Sequence, residues 1–206
     1  MRRLTAAVLT LGLLVTLVAS AEARKRKGPT TAPGRYTDWD DEIDKLEIVE
    51  TFKLADYQRV AIEPFDTSET PLPDADDNTY APVKQVLAAP VPPFASGLQE
   101  EVEGVKVVLA DKGADAGAGT LLIRGKVLQM DPGSQAARYW AGFGAGAART
   151  EIVAELVDGA SGKVLLRFTQ ERRSGVGAFG GDYVELLERN LYAIGEDAAL
   201  ILNAFR

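Results

Sequence analysis

The chain of 206 residues contains no cysteine and no histidine. Without thiols it can form neither a disulfide nor a thiolate nucleophile, and without imidazole it has no serine–histidine triad and no histidine acid–base chemistry. With both missing, Cys/His zinc sites are excluded too. What is present suits a folded domain: 46% hydrophobic and 26% charged residues, with 20 glycines and 10 prolines spread through the chain. A chain of this length can bury roughly 70% of its unfolded surface, so a core can form without a covalent or metal staple.

Arg2 and Arg3 precede an apolar run from Leu4 to Val18, and Ala21-Glu22-Ala23 follows with small residues at the positions a signal peptidase reads. This is the pattern of a secretory signal peptide over residues 1–23. The alternative is a retained anchor, because Arg24, Lys25, Arg26 and Lys27 come next and basic residues tend to stay on the cytoplasmic side. The run is nearer the ~7–15 residues of a signal core than the ~20 of a spanning helix. No cysteine follows it, so an exported product, periplasmic or secreted and in contact with the outer membrane at most peripherally, is expected to carry no lipid. Cleavage after Ala23 removes Arg2, Arg3 and Glu22, taking 23 basic and 30 acidic residues to 21 and 29, a net charge of −8. That charge repels a phosphate backbone, so nucleic acid is not an expected partner.

Residues 24–45 read as a disordered linker, basic and then acidic, with Pro29, Pro33 and Gly34 ahead of Asp38, Asp40, Asp41, Glu42 and Asp44. Residues 46–206 read as one α+β domain. Strands are expected at Leu46 to Leu54, Arg59 to Phe65, Val105 to Leu109 and Thr120 to Met130, with loop chemistry from Thr67 to Tyr80. Helical segments at Val83 to Ala89 and Ala95 to Val102 are separated by Pro90, Pro92 and Pro93. Gly125, on the apolar face of its strand, predicts a bulge or a close backbone crossing.

The clearest signal is a central hairpin of Thr150 to Val157 and Lys163 to Glu171 around Asp158-Gly159-Ala160-Ser161-Gly162. A five-residue loop pairs Leu156 with Val164, Ala154 with Leu166 and Ile152 with Phe168, and sets Arg167 diagonal to Glu151 and Glu155. Asp182 is an N-cap for a last helix, with Glu185 completing a capping-box pair. Val184, Leu187, Leu191, Ile194, Ala198, Ile201 and Phe205 make that helix amphipathic. The order of elements implies a small mixed sheet with helices packed on one face.

No candidate site reaches a catalytic pattern. Asp74, Asp76 and Asn78 imitate the opening of a calcium loop, but Thr79 and Gln85 stand where glycine and glutamate are required. Gly142, Gly144 and Ala147 only approximate a dinucleotide fingerprint and precede a strand, so no cofactor is expected. Ser174 and Thr169 lack an activating base, and Ser161-Gly162-Lys163 is a turn. The chain is therefore expected not to be an enzyme, and no small-molecule substrate suggests itself. A glycine-rich tip carrying Arg138, Tyr139, Trp140 and Phe143, joined by Phe179 in the segment from Val176, is the candidate partner-binding surface.

Gly133-Ser134, Ala137-Arg138-Tyr139, the Gly142 to Gly146 run, Val157-Asp158 and Ser161-Gly162-Lys163-Val164-Leu165 resemble a bacterial family catalogued as domain of unknown function 4410. With Arg59 to Phe65 and the terminal helix, the resemblance covers roughly Tyr57 to Phe205. It implies a fold and an envelope compartment and no chemistry. More distantly, the order of elements is similar to the amino-terminal domain of the Tol-Pal translocation protein and to the curli-secretion channel lipoprotein. In that channel, the resemblance implies, membrane-spanning hairpins emerge where this chain has Ser134 to Arg149 and Arg173 to Gly181. Both segments are shorter than the about twenty residues a spanning hairpin takes. The expected function is an exported, non-catalytic binding or assembly module, partnered by an envelope protein or by itself; an oligomeric membrane-associated ring is the alternative.

Overall fold

The computed structural model describes residues 29–113, 117–133, 147–174 and 182–206. In chain order these form β1 (Gly34–Trp39), β2 (Ile43–Ile48), a single 3₁₀ turn (Leu54–Asp56), β3 (Arg59–Ile62), α1 (Tyr80–Leu87), α2 (Val91–Glu101), β4 (Lys106–Leu109), β5 (Thr120–Asp131), β6 (Ala148–Asp158), β7 (Val164–Ser174) and α3 (Tyr183–Asn203). The strands make one mixed sheet in the order β1-β2-β7-β6-β5-β3-β4. Pairing is antiparallel except where β3 runs parallel to both β4 and β5. The α+β architecture read from the sequence is the one observed.

Strand β6 shows why the sheet has a covered and an open side. Ala148, Thr150, Ile152, Ala154 and Leu156 alternate inward and are buried, while Arg149, Glu151, Val153 and Glu155 stay half-exposed. The inward row joins the apolar faces of α1, α2 and α3 in one core that includes Leu87, Leu98 and Leu191. On the opposite face a smaller cluster, Ala61, Leu122 and Val157, is met by Val108, Ala110 and Val164.

The region read as a linker is strand from Gly34. Its local composition is polar, but β1 gains a full ladder with β2, and Trp39, only 3% exposed, donates its indole N–H to the Thr30 carbonyl at 2.9 Å. The acidic run makes the tight connection: Asp38, Asp40 and Asp41 have φ of 51°, 54° and 63°, a left-handed conformation that aspartate tolerates better than most residues. The prolines separate α1 from α2 as expected, but the second helix starts before Ala95. Pro92 and Pro93 lie within the first turn of α2, which begins at Val91, where an N–H has no intrahelical partner to lose.

The central hairpin is present with a register two residues away from the one expected. Leu156 pairs with Leu166, Ala154 with Phe168 and Ile152 with Gln170, because Val157 pairs with Val164 in place of Lys163 and a register shift next to it then inserts Leu165. A two-residue shift preserves which side chains face the core, so the apolar pattern could not discriminate the two registers. Arg167 then stands directly opposite Glu155. At Gly125 the crossing group is a ring: an added Cβ would lie 2.6 Å from Phe65, and the bulge in β5 falls later, between Val127 and Gln129. Asp182 caps α3 by accepting the Val184 N–H at 2.9 Å, whereas Glu185 is paired with Arg189 at 2.8 Å.

Helices α2 and α3 cross at two glycines. A Cβ on Gly97 would stand 2.1 Å from the Tyr192 carbonyl oxygen, and one on Gly195 would stand 2.1 Å from that of Phe94. Gly97→Ala and Gly195→Ala should therefore each cost about 1–3 kcal/mol in urea unfolding, since a helix backbone must move to admit the methyl; an unchanged midpoint would contradict the crossing. In the hairpin loop, Asp158 accepts from the Ser161 hydroxyl at 2.6 Å and its amide at 2.7 Å, and from Tyr57 at 2.9 Å. These bonds, Ser161's first, hold the carboxyl below its usual range. A depressed carboxylate stabilises above the unfolded value near 3.8 and loses that contribution as pH falls through the folded one. Ser161→Ala is expected to lower the urea midpoint near neutrality and to converge with the parent protein as pH falls through the lowered titration of Asp158.

Candidate functional site

The expected contact residues Arg138, Tyr139, Trp140, Phe143 and Phe179 lie outside the described residues. The structure does place the roots of the segments that carry them. Residues 134–146 leave from the end of β5 and return into β6, where Asp131 faces Arg149. Residues 175–181 follow Ser174, the end of β7, which faces Ala148 of β6, and rejoin at the cap of α3. Both segments are thus rooted at the same end of the sheet.

A cleft of about 780 Å³ opens at that end. Gly133 and Tyr183, each beside one of the roots, both line it. Its floor is β5 from Leu128 to Asp131, and its opposite wall is the turn-rich connection carrying Pro71, Leu72 and Pro73. The Thr70 hydroxyl ties this connection down by donating to the Val127 carbonyl at 2.7 Å. Asp77, in the stretch that imitates a calcium loop, accepts from the Thr79 hydroxyl at 2.6 Å and amide at 2.8 Å, which holds its carboxyl below the usual range. Among the described residues no three carboxylates converge as metal ligands would.

Behind the cleft a polar strip runs beneath α3 and was not foreseen. Gln170 donates to Asp197 at 2.9 Å and to the Glu42 carbonyl at 3.0 Å, and accepts the Asp44 N–H at 2.9 Å. Arg172 grips Asp197 with two donors, one at 2.7 Å. Burial pushes the Asp197 carboxyl up against the opposing pull of Arg172, and the same contact keeps Arg172 charged. Further along, the Ser174 hydroxyl bonds Asn190, while Thr150 Oγ1 and Asn190 Nδ2 are buried with no partner among the described residues. One signal was available: Asp197 follows Ile194 by three positions, inside the apolar stripe of the last helix.

The open face carries a row of alternating charge across six neighbouring chain segments. Arg35 meets Glu47 at 2.9 Å, Glu47 meets Arg167 at 3.2 Å, and Arg167 meets Glu155 at 3.5 Å. Arg124 stands opposite Glu155 and reaches Glu63 at 3.5 Å. Arg35 first and then Arg167 hold the Glu47 carboxyl below its usual range. These carboxylates are engaged with cations, so the row suits surface solubility and strand alignment better than proton transfer.

Several solved structures are similar to the chain. The PelC dodecamer from Paraburkholderia phytofirmans is 15% identical over 73% of this chain and 96% of that one, with a TM-score of 0.41. Protein XCC0632 from Xanthomonas campestris is 13% identical over 75% and 92%, at 0.40. Lipoprotein GNA1162 from Neisseria meningitidis is 18% identical over 69% and 98%, at 0.33. No curated protein matches the chain. The model of one family, Domain of unknown function (DUF4410), matches residues 63–178, more than half of the chain, and the chain belongs to that family.

Proposed function

We propose that the mature chain is an exported, non-catalytic binding or assembly module of the bacterial envelope, which touches its partner through Arg138, Tyr139, Trp140 and Phe143, together with Phe179. The observation that carries this reading is the common root of the two segments. Ala148 faces Ser174 and Asp131 faces Arg149, so the strand ends that flank the two aromatic-bearing segments lie together at one end of the sheet. Aromatic side chains supply large contact area at small entropic cost, which favours their use as anchors. The export pattern, from Arg2 and Arg3 through Ala23, supports the compartment. Among the described residues no helix is long and apolar enough to cross a membrane.

Replacing Tyr139, Trp140 and Phe143 together with serine should abolish crosslinks to envelope proteins in intact cells, while the melting temperature stays at the parent's value. An unchanged set of crosslinked partners would overturn the assignment of the tip. The intact mass of the exported protein should correspond to a chain beginning at Arg24; a product that keeps residues 1–23 would show retention as an anchor.

A further inference from the structure

Strand β5 is twelve residues long, yet β3 pairs only with Thr120 to Ile123. Beyond Ile62 the chain follows β5 a little further. Glu63 N–H donates to the Ile123 carbonyl, Asp66 N–H to that of Gly125, and Val127 N–H to that of Asp66. At Pro71 it turns away. From Gln129 to Asp131, β5 remains paired with β6 on one side, and no described strand lies along the other. The cleft occupies this vacated lane.

The register shift decides which peptide group looks into the lane. Up to Val127 the odd-numbered residues of β5 bond toward β3, as the contacts of Ile123, Gly125 and Val127 show. After the shift Gln129 and Asp131 take the places opposite Glu151 and Arg149, so the peptide groups of Met130 face away from β6, into the cleft. The far wall cannot complete the ladder, because Pro71 and Pro73 have no N–H to give. Between them Leu72, an apolar side chain on the same wall, is 48% exposed. Asp77 and Asp131 line the same cleft and make it acidic.

The geometry points to this lane as a docking site for an extended segment of a partner polypeptide, added parallel to β5 in the line that β3 abandons, with apolar and basic side chains in alternation. Strand addition satisfies the main-chain groups of an unpaired edge and is read through pockets for alternate side chains. Four residues of β5 offer roughly 13 Å of edge, enough for a strand of four or five residues. Apolar side chains of the segment pack on Leu72 and Tyr183, and basic ones meet Asp77 and Asp131. This inference rests on the reading of the chain as a binding module but uses a surface other than the aromatic tip.

The test uses the isotope-labelled mature protein and a blocked synthetic hexapeptide of alternating lysine and valine. Amide shifts are expected at Gln129, Met130 and Asp131. The same peptide N-methylated along one edge should bind about tenfold more weakly, the worth of one or two main-chain hydrogen bonds. Leu72→Arg, at an exposed position, should weaken the parent peptide by about tenfold through lost packing and repulsion, with unchanged thermal stability. Shifts confined to other regions, equal binding of the methylated peptide, or no shifts at about 1 mM peptide would each overturn the lane. The variant with Tyr139, Trp140 and Phe143 replaced should bind the probe as the parent does. Loss of the lane with tip-dependent crosslinks intact leaves the module reading standing, and loss of those crosslinks with the lane intact removes only the tip.

Discussion

Phe94 lies between two places where the chain has no side chain, and the arrangement of layers depends on that. On the sheet, the ring of Phe65 rests on Gly125, at a distance a Cβ would close to 2.6 Å. Phe94, fully buried in α2, meets Phe65 edge to face with ring centres 5.0 Å apart. Its carbonyl in turn sits where a Cβ of Gly195 in α3 would be. Sheet, α2 and α3 are thus joined through one line of contacts made possible by two glycines. Packing at this density leaves little room to shift one layer without shifting the others, so the position of α3 over β6 and β7 follows from it.

The position of α3 fixes what lies beneath its polar residues. Asp197 would be a costly group to bury alone; Arg172 and Gln170 of β7 meet it, and through them Glu42 and Asp44 of the first hairpin are tied to the last helix. The amino-terminal edge of the sheet is therefore held by residues more than a hundred positions away. The open face is organised differently. Its row is solvent-facing from Arg35 to Arg124 and ends on the buried carboxylate of Glu63; exposed pairs of this kind add little to stability, and their effect is to keep strands in register and the face polar.

The strands and helices with strong periodicity were legible in the sequence, as was the one-sided layering: the alternation of Ile152, Ala154 and Leu156 and the stripe from Leu187 to Ile201 carry that information locally. The first hairpin was not legible, because an acidic and proline-flanked stretch becomes strand only when β2 and β7 are beside it. The hairpin register was half legible, since side-chain parity is encoded and a two-residue displacement is not. Gly97 and Gly195 read as ordinary helix glycines until two backbones are seen to cross at them. For the candidate site, the aromatics could be named from composition alone, whereas the cleft along β5 is assembled from a loop, a strand end and a helix start that no sequence window contains.

By itself, the sequence determined the absence of thiol and imidazole chemistry, the export pattern, the acidic surface, the α+β class and the amphipathic last helix, because each is a matter of which groups exist or how they recur along a few turns. Tertiary structure alone decided that the end of β5 is left without a neighbouring strand on the β3 side among the described residues, that Asp197 finds Arg172, and that two distant segments share one root. Those outcomes depend on which strand lies beside which, and strand neighbours are chosen by the burial of the whole sheet and not by any local stretch of chain.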